Sequence, residues 1–227
     1  MAATAEREIG NALDDGQRVS SLLIAPKEAR ACYVVAHGAG AGMRHPFMTA
    51  VAQGLAERGI ATLRYQFPYM ERGSKRPDSP KVAQAAVRAA VTDAACLVPG
   101  LPLIAGGKSY GARMTSQAQA HAPLDGVRGL VFLGFPLHPP GQPSDTRAEH
   151  LSRVEIPMLF LQGTRDEFAD LEYLSPLVKR LGARATLKLF ENADHSFHVP
   201  AKSGRTDAEV MSEMLDTLVE WIERSID

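Results

Sequence analysis

Between residues 31 and 190, short apolar runs bounded by Gly and Pro alternate with stretches of helical periodicity. That alternation predicts an α/β fold with a mostly parallel sheet and helices on both faces, because parallel strands need crossover connections that also cover the sheet. The clearest strands are expected at 31–37, 60–67, 101–106, 127–135, 157–162 and 186–190. Two earlier segments, 8–13 and 18–24, flank Asp14-Asp15-Gly16, a hairpin signal, and read as an antiparallel N-terminal edge.

The gaps carry their own punctuation. Phe47, Val51 and Leu55 recur every fourth residue, and Gly59 supplies a stop. Ser79-Pro80 reads as an N-cap and first-turn proline before an Ala-rich helix to Leu97. Thr206-Asp207-Ala208-Glu209 has the pattern of a capping box, and Met211, Met214, Leu215, Leu218 and Ile222 form one apolar stripe behind it. Only 136–156, with four prolines by residue 143 and one short helix expected near 147–152, separates the fourth and fifth parallel strands from the 31–37 strand onward. That span is too short for a large lid domain. With no linker or repeat, one domain over 1–227 is expected.

Composition narrows the classes of function. Lys and Arg number 25 against 26 Asp and Glu, and no run of five like charges occurs, which argues against a phosphate-neutralising surface and hence nucleic acid. No stretch approaches the roughly 20 apolar residues needed to span a bilayer. The first residues carry acids early and no apolar core of a signal peptide. Cys32 and Cys96, both in apolar stretches, read as buried thiols, and the cytoplasm is the expected compartment.

Three segments carry chemistry. Gly107-Lys108-Ser109-Tyr110-Gly111 fits Gly-x-Ser-x-Gly between an expected strand and an expected helix, the setting of a nucleophile elbow. Phosphate-binding alternatives fail: a P-loop needs Gly where Pro102 stands, and 38–42 lacks the third glycine of GxGxxG, with Met43 and His45 beyond it. His37-Gly38-Ala39-Gly40 follows a strand and offers small residues for backbone approach to a substrate oxygen. The Ala39 and Tyr110 N–H groups are the expected oxyanion donors, with Gly40 a rival for the first. Asp166 and His195 each follow a strand and supply an acid and a base, ahead of Glu167, Asp170 and His198. Ser109, Asp166 and His195 stand in the chain order of α/β hydrolases, not of chymotrypsin or subtilisin. No His-Glu-x-x-His and no tight Cys/His cluster occurs, so neither metal nor cofactor is expected.

On these residues the chain resembles the serine α/β hydrolases related to dienelactone hydrolase. More narrowly, it resembles the group containing testis-expressed protein 30 and the third subunit of the non-specific-lethal complex. The matching blocks are 37–42 with His45-Pro46-Phe47-Met48, Arg64-Tyr65-Gln66-Phe67-Pro68-Tyr69-Met70 and Gly107-Lys108-Ser109-Tyr110-Gly111-Ala112-Arg113-Met114. Gly134-Phe135-Pro136-Leu137-His138-Pro139-Pro140-Gly141, Gln162-Gly163-Thr164-Arg165-Asp166 and Asp194-His195-Ser196-Phe197 complete them. The resemblance implies an α/β-hydrolase fold without a large lid and a triad of Ser109, Asp166 and His195. Dienelactone hydrolases carry cysteine as nucleophile. Serine stands at that position here, so their substrate is not carried over.

The expected reaction is hydrolysis of a small or short-acyl ester or thioester through an acyl-enzyme on Ser109, with a small-molecule substrate and no nucleic-acid or membrane partner. Phe47, Tyr69, Phe135 and His138, with Tyr110, are candidate walls of the substrate site. Arg113 either clamps an acidic substrate or braces the loop near Asp166 or the sheet end. A non-catalytic interaction module and a small peptidase are the alternatives.

Overall fold

The computed structural model describes residues 5–12 and 18–226. Eight strands form one sheet: β1 (Arg7–Ala12), β2 (Arg18–Ile24), β3 (Ala31–Ala36), β4 (Ile60–Tyr65), β5 (Leu103–Lys108), β6 (Val127–Leu133), β7 (Met158–Gly163) and β8 (Ala185–Phe190). Their order is β1-β2-β4-β3-β5-β6-β7-β8. β1 pairs antiparallel with β2, and β2 with β4, while every other pair is parallel. The expected antiparallel edge is therefore present; the Asp14-Asp15-Gly16 turn lies outside the described residues.

The helices are α1 (Pro46–Glu57), α2 (Pro68–Glu71), α3 (Pro80–Leu97), α4 (Tyr110–His121), α5 (Leu171–Leu181) and α6 (Asp207–Ile226). Strand alternation sorts the core into two layers. Tyr33 and Val35 face Met48, Val51 and Leu55 of α1 and the α6 stripe Met214, Leu215, Leu218 and Ile222. Cys32, Val34 and Ala36 face the opposite layer, with Ala83, Val87 and Ala90 of α3, Ala112 and Met114 of α4, and Leu174 and Leu177 of α5. Every residue of β3, β4, β5 and β7 is buried, as expected of parallel strands covered on both sides. Between β6 and β7 the chain makes only a 3-10 helix at Thr146–Arg153, so there is no lid.

Two local expectations need correcting. Cys96 is exposed: the buried face of α3 runs through Ala83, Ala86, Val87, Ala90, Val91 and Ala94, and position 96 turns away from it. The fifth strand begins at Leu103 and continues through Gly107 and Lys108, so it runs into the Gly-x-Ser-x-Gly segment.

This topology creates a crevice. From β3 the chain crosses to β4 on one side, whereas β5 lies on the other side of β3. Loops leaving the carboxyl ends of β3 and β5 diverge there, which is where open α/β sheets admit ligands.

The α6 capping box forms as expected. The Thr206 N–H donates to Glu209 Oε2 at 2.7 Å, and the Glu209 N–H donates to Thr206 Oγ1 at 3.2 Å. Ser79, by contrast, occupies the N-cap of α3 without a side-chain hydrogen bond to the helix. Thr206→Ala is expected to lower the unfolding free energy by about 1 kcal/mol. Ser79→Ala is expected to leave it nearly unchanged, both read by urea denaturation.

Candidate active site

β5 delivers its last residues against the end of β3. A Cβ at Gly107 would lie 2.4 Å from the Ala36 carbonyl oxygen, and one at Gly111 would lie 2.6 Å from the same atom. Only glycine permits that approach, and it explains both glycines of the motif. Between them Ser109 takes φ 50° and ψ −113°, and α4 starts at the next residue. Its N–H donates to Leu133 O at 3.4 Å and its carbonyl accepts from the Arg113 N–H at 3.2 Å. The serine stands at the N-terminus of a 12-residue helix, where unpaired N–H groups favour negative charge. Its side of the crevice is open, for Ser109 is only partly buried.

Asp166 and His195 meet from the ends of β7 and β8. His195 Nδ1 lies 2.7 Å from Asp166 Oδ2, with the carboxylate side chain 0% and the imidazole 18% exposed. A carboxylate only accepts, so Nδ1 is the donor and Nε2 is left as a proton acceptor. Gln162 Nε2 also donates to Asp166 Oδ2, and the Phe168 N–H donates to Oδ1 at 2.9 Å. Two loops must touch for this: the Arg165 N–H donates to Ala193 O at 2.9 Å, and a Cβ at Gly163 would come within 2.3 Å of that oxygen. The Phe168 ring packs 4.4 Å from the imidazole. Ser109 and His195 open onto one cavity of about 360 Å³, shared with Ala39, Phe47, Lys108 and Phe168. A wider depression of about 510 Å³ along 164–172 touches neither of them.

After β3, His37 holds the turn. It donates from Nδ1 to Gly38 O at 2.7 Å, and its Nε2 accepts the Phe67 N–H at 3.1 Å. Burial pushes its pKa down to about 4, so it is a neutral structural residue. The Gly40 N–H is committed to Tyr69 Oη at 2.8 Å, which removes Gly40 as a rival donor. The Ala39 and Tyr110 N–H groups have no acceptor among the described residues.

Of the five candidate wall residues, only Phe47 lines the cavity. Tyr69 is buried, its hydroxyl holding Gly40 and its ring beside Phe67 and Tyr110. Phe135 is core, packed among Phe132, Phe160 and His150. His138 is buried too; it donates to Pro139 O and accepts from the Asp170 N–H at 3.0 Å, pinning 136–141 to the start of α5. Aromatic residues at strand exits pack as readily inward as toward a cavity, and the sequence does not distinguish the two. Arg113 does not brace Asp166, whose oxygens are held by Gln162, Phe168 and His195. Its half-buried guanidinium lies near Arg147, and its Nε has no partner among the described residues. His198 pairs instead with exposed Asp207 at 2.8 Å.

Sequence reasoning missed Lys108, Gln162 and Phe168. Lys108 lay inside the motif itself, and Gln162 and Phe168 flank Asp166, so their proximity was the available signal. A second serine–histidine pair, Ser116 Oγ and His150 Nε2 at 2.8 Å, lies buried between α4 and the 146–153 helix. Its serine donates to Arg113 O, and burial with Arg153 and Arg113 nearby pushes His150 down to about 4. That pair ties elements together, lies outside the cavity and has no carboxylate partner among the described residues. Among the described residues no group of three or more His, Cys, Asp or Glu could hold a metal, and no helix is long and apolar enough to cross a membrane.

The family model described as "Alpha/beta hydrolase domain" matches residues 29–223. Among solved structures, the chain is similar to an a/b serine hydrolase without lid from Xanthomonas campestris, at 20% identity and TM-score 0.74, covering 96% of this chain and 95% of that one. It is similar to a dienelactone hydrolase from Anabaena variabilis at 19% identity and TM-score 0.79, covering 98% and 99%. The esterase domain of a Rhodothermus marinus protein superposes with TM-score 0.75 at 14% identity, covering 98% and 100%. At these identities the likeness is one of fold.

Two of the buried histidines, His37 and His150, set an acid limit on stability. Folded His37 and His150 protonate only near pH 4, whereas in the unfolded chain they protonate near the ordinary 6.5. Between those values the unfolded state binds more protons, so stability falls as pH falls through this window. The urea midpoint is expected to drop from pH 7 to pH 4.5, and to drop less steeply in His37→Gln/His150→Gln.

Proposed function

This chain belongs to the alpha/beta hydrolase domain family, and on that premise we propose that it is a serine hydrolase of small or short-acyl carboxylic esters or thioesters. The observation that carries the reading is that accessible Ser109, at a strained elbow, shares a cavity with His195, whose Nδ1 is bound to buried Asp166 at 2.7 Å.

Each residue then has a role. His195 Nε2 takes the Ser109 hydroxyl proton as Oγ attacks the carbonyl carbon. The Ala39 and Tyr110 N–H groups, together with the N-terminus of α4, stabilise the oxyanion of the tetrahedral intermediate. Its collapse expels the alcohol or thiol, protonated by His195, and leaves an acyl ester on Ser109. Water, activated by the same imidazole, releases the acid. Asp166 holds the Nδ1–H tautomer and stabilises the imidazolium, while Gln162 and the Phe168 N–H hold Asp166. No step requires a cofactor.

The size of the cavity and the absence of a lid support short over long acyl chains. The matching blocks support the narrower kinship with the testis-expressed protein 30 group, the one sheet from β1 to β8 supports a single domain over 1–227, and two free thiols support a cytoplasmic setting.

The test is initial hydrolysis rates on p-nitrophenyl esters from acetyl to palmitoyl. Rates are expected to peak at short chains, to vanish in Ser109→Ala, and to fall on the order of 10⁴-fold in Asp166→Asn. Wild-type turnover in Ser109→Ala would overturn the reading.

A further inference from the structure

Lys108 has no part in the chemistry just described, yet it is the side chain that joins the two halves of the site. It precedes Ser109 in the chain, and its Nζ donates to the carbonyl oxygen of His195 at 2.5 Å, across 87 residues of sequence. The ammonium is buried at the wall of the cavity, 5.9 Å from the ring centre of Phe47 and 5.7 Å from that of Phe197. Gly134 leaves room for it, since a Cβ there would lie 3.0 Å from Nζ and 3.4 Å from the imidazole. A desolvated cation is costly. Here one charge-assisted hydrogen bond, two aromatic faces and the nearby carboxylates of Asp166 and Asp194 offset that cost.

The geometry points to Lys108 as a positioning residue for the proposed serine chemistry: its ammonium grips the backbone of His195 and fixes the imidazole relative to Ser109. The inference rests on the serine-hydrolase reading. The Asp166 bond alone anchors one ring nitrogen and leaves the residue free to pivot about it. A second anchor on the main chain removes that freedom, and it comes from the strand that carries the nucleophile, so base and nucleophile move as one body. Misplacement of reacting groups by about 1 Å costs on the order of 10²-fold in rate, so the grip acts on turnover and not on substrate affinity.

Charge matters to the grip. Burial pushes the Lys108 pKa down to about 8, opposed by Asp166 and Asp194; the other titratable groups on the cavity are His195 and His45. The ammonium is present below that pH and gives way to a neutral, weaker donor as pH rises through it.

The experiment uses the full chain, wild type and Lys108→Met, whose apolar side chain suits the space between the two rings. It measures ester hydrolysis from pH 6 to 10, fluorophosphonate labelling of Ser109, and thermal unfolding. Lys108→Met is expected to lower kcat at least about tenfold with KM within about twofold, and to slow labelling by a similar factor. Wild-type kcat is expected to decline severalfold as pH rises through about 8, a limb that the variant lacks. If the variant does not fold, the wild-type labelling profile decides, a flat rate between pH 7 and 9 sinking the inference. A folded variant with kcat within twofold of wild type overturns it while normal labelling leaves the serine reading standing. Absence of labelling in the wild type takes down both.

Discussion

The contact on which the site depends is between backbones: the ends of β5 and α4 lie against Ala36 at the end of β3, closer than any side chain would allow. That contact sets where α4 begins, and the intervening serine is left in a conformation that costs of the order of 1–3 kcal/mol. An isolated loop would relax. Here β3 and β5 are wholly buried, hydrogen-bonded in register from Cys32 to Ala36, and flanked by packed helices, so the turn has no alternative path.

The same device operates at the second half of the site. Gly163 lets the β7 loop press on the Ala193 carbonyl, and that brings the carboxylate of Asp166 to the imidazole of His195. Once there, the carboxylate is enclosed and its oxygens are satisfied by Gln162, Phe168 and His195. The serine follows β5 and the acid and base follow β7 and β8, and the two halves are joined through Lys108. With no lid over the 134–157 segment, preorganisation comes from strand ends, and closure over the substrate has no element to perform it.

Much of this was legible from residue order alone. Apolar runs, capping residues and glycine punctuation located all eight strands to within a few residues and the helices α1, α3 and α6; apolar runs mark strands such as β3, β4, β5 and β7, which are buried on both faces. The capping box at Thr206 was readable because it is a bond between residues three apart. Cys96 was misread as buried: its neighbours are apolar, but exposure follows the helical phase, and the face of α3 passes it by.

What the sequence by itself determined is therefore the class of fold, the place of the elbow, and the order of Ser109, Asp166 and His195, since each depends on local periodicity or on residues adjacent in the chain. Only the tertiary structure decided that Phe135, Tyr69 and His138 turn inward, that Gly40 spends its N–H on Tyr69, and that Lys108 reaches His195. Most of these are contacts between segments well separated in the chain, up to 87 residues for Lys108 and His195. Their direction is set by how the layers pack, and a linear pattern carries no record of it.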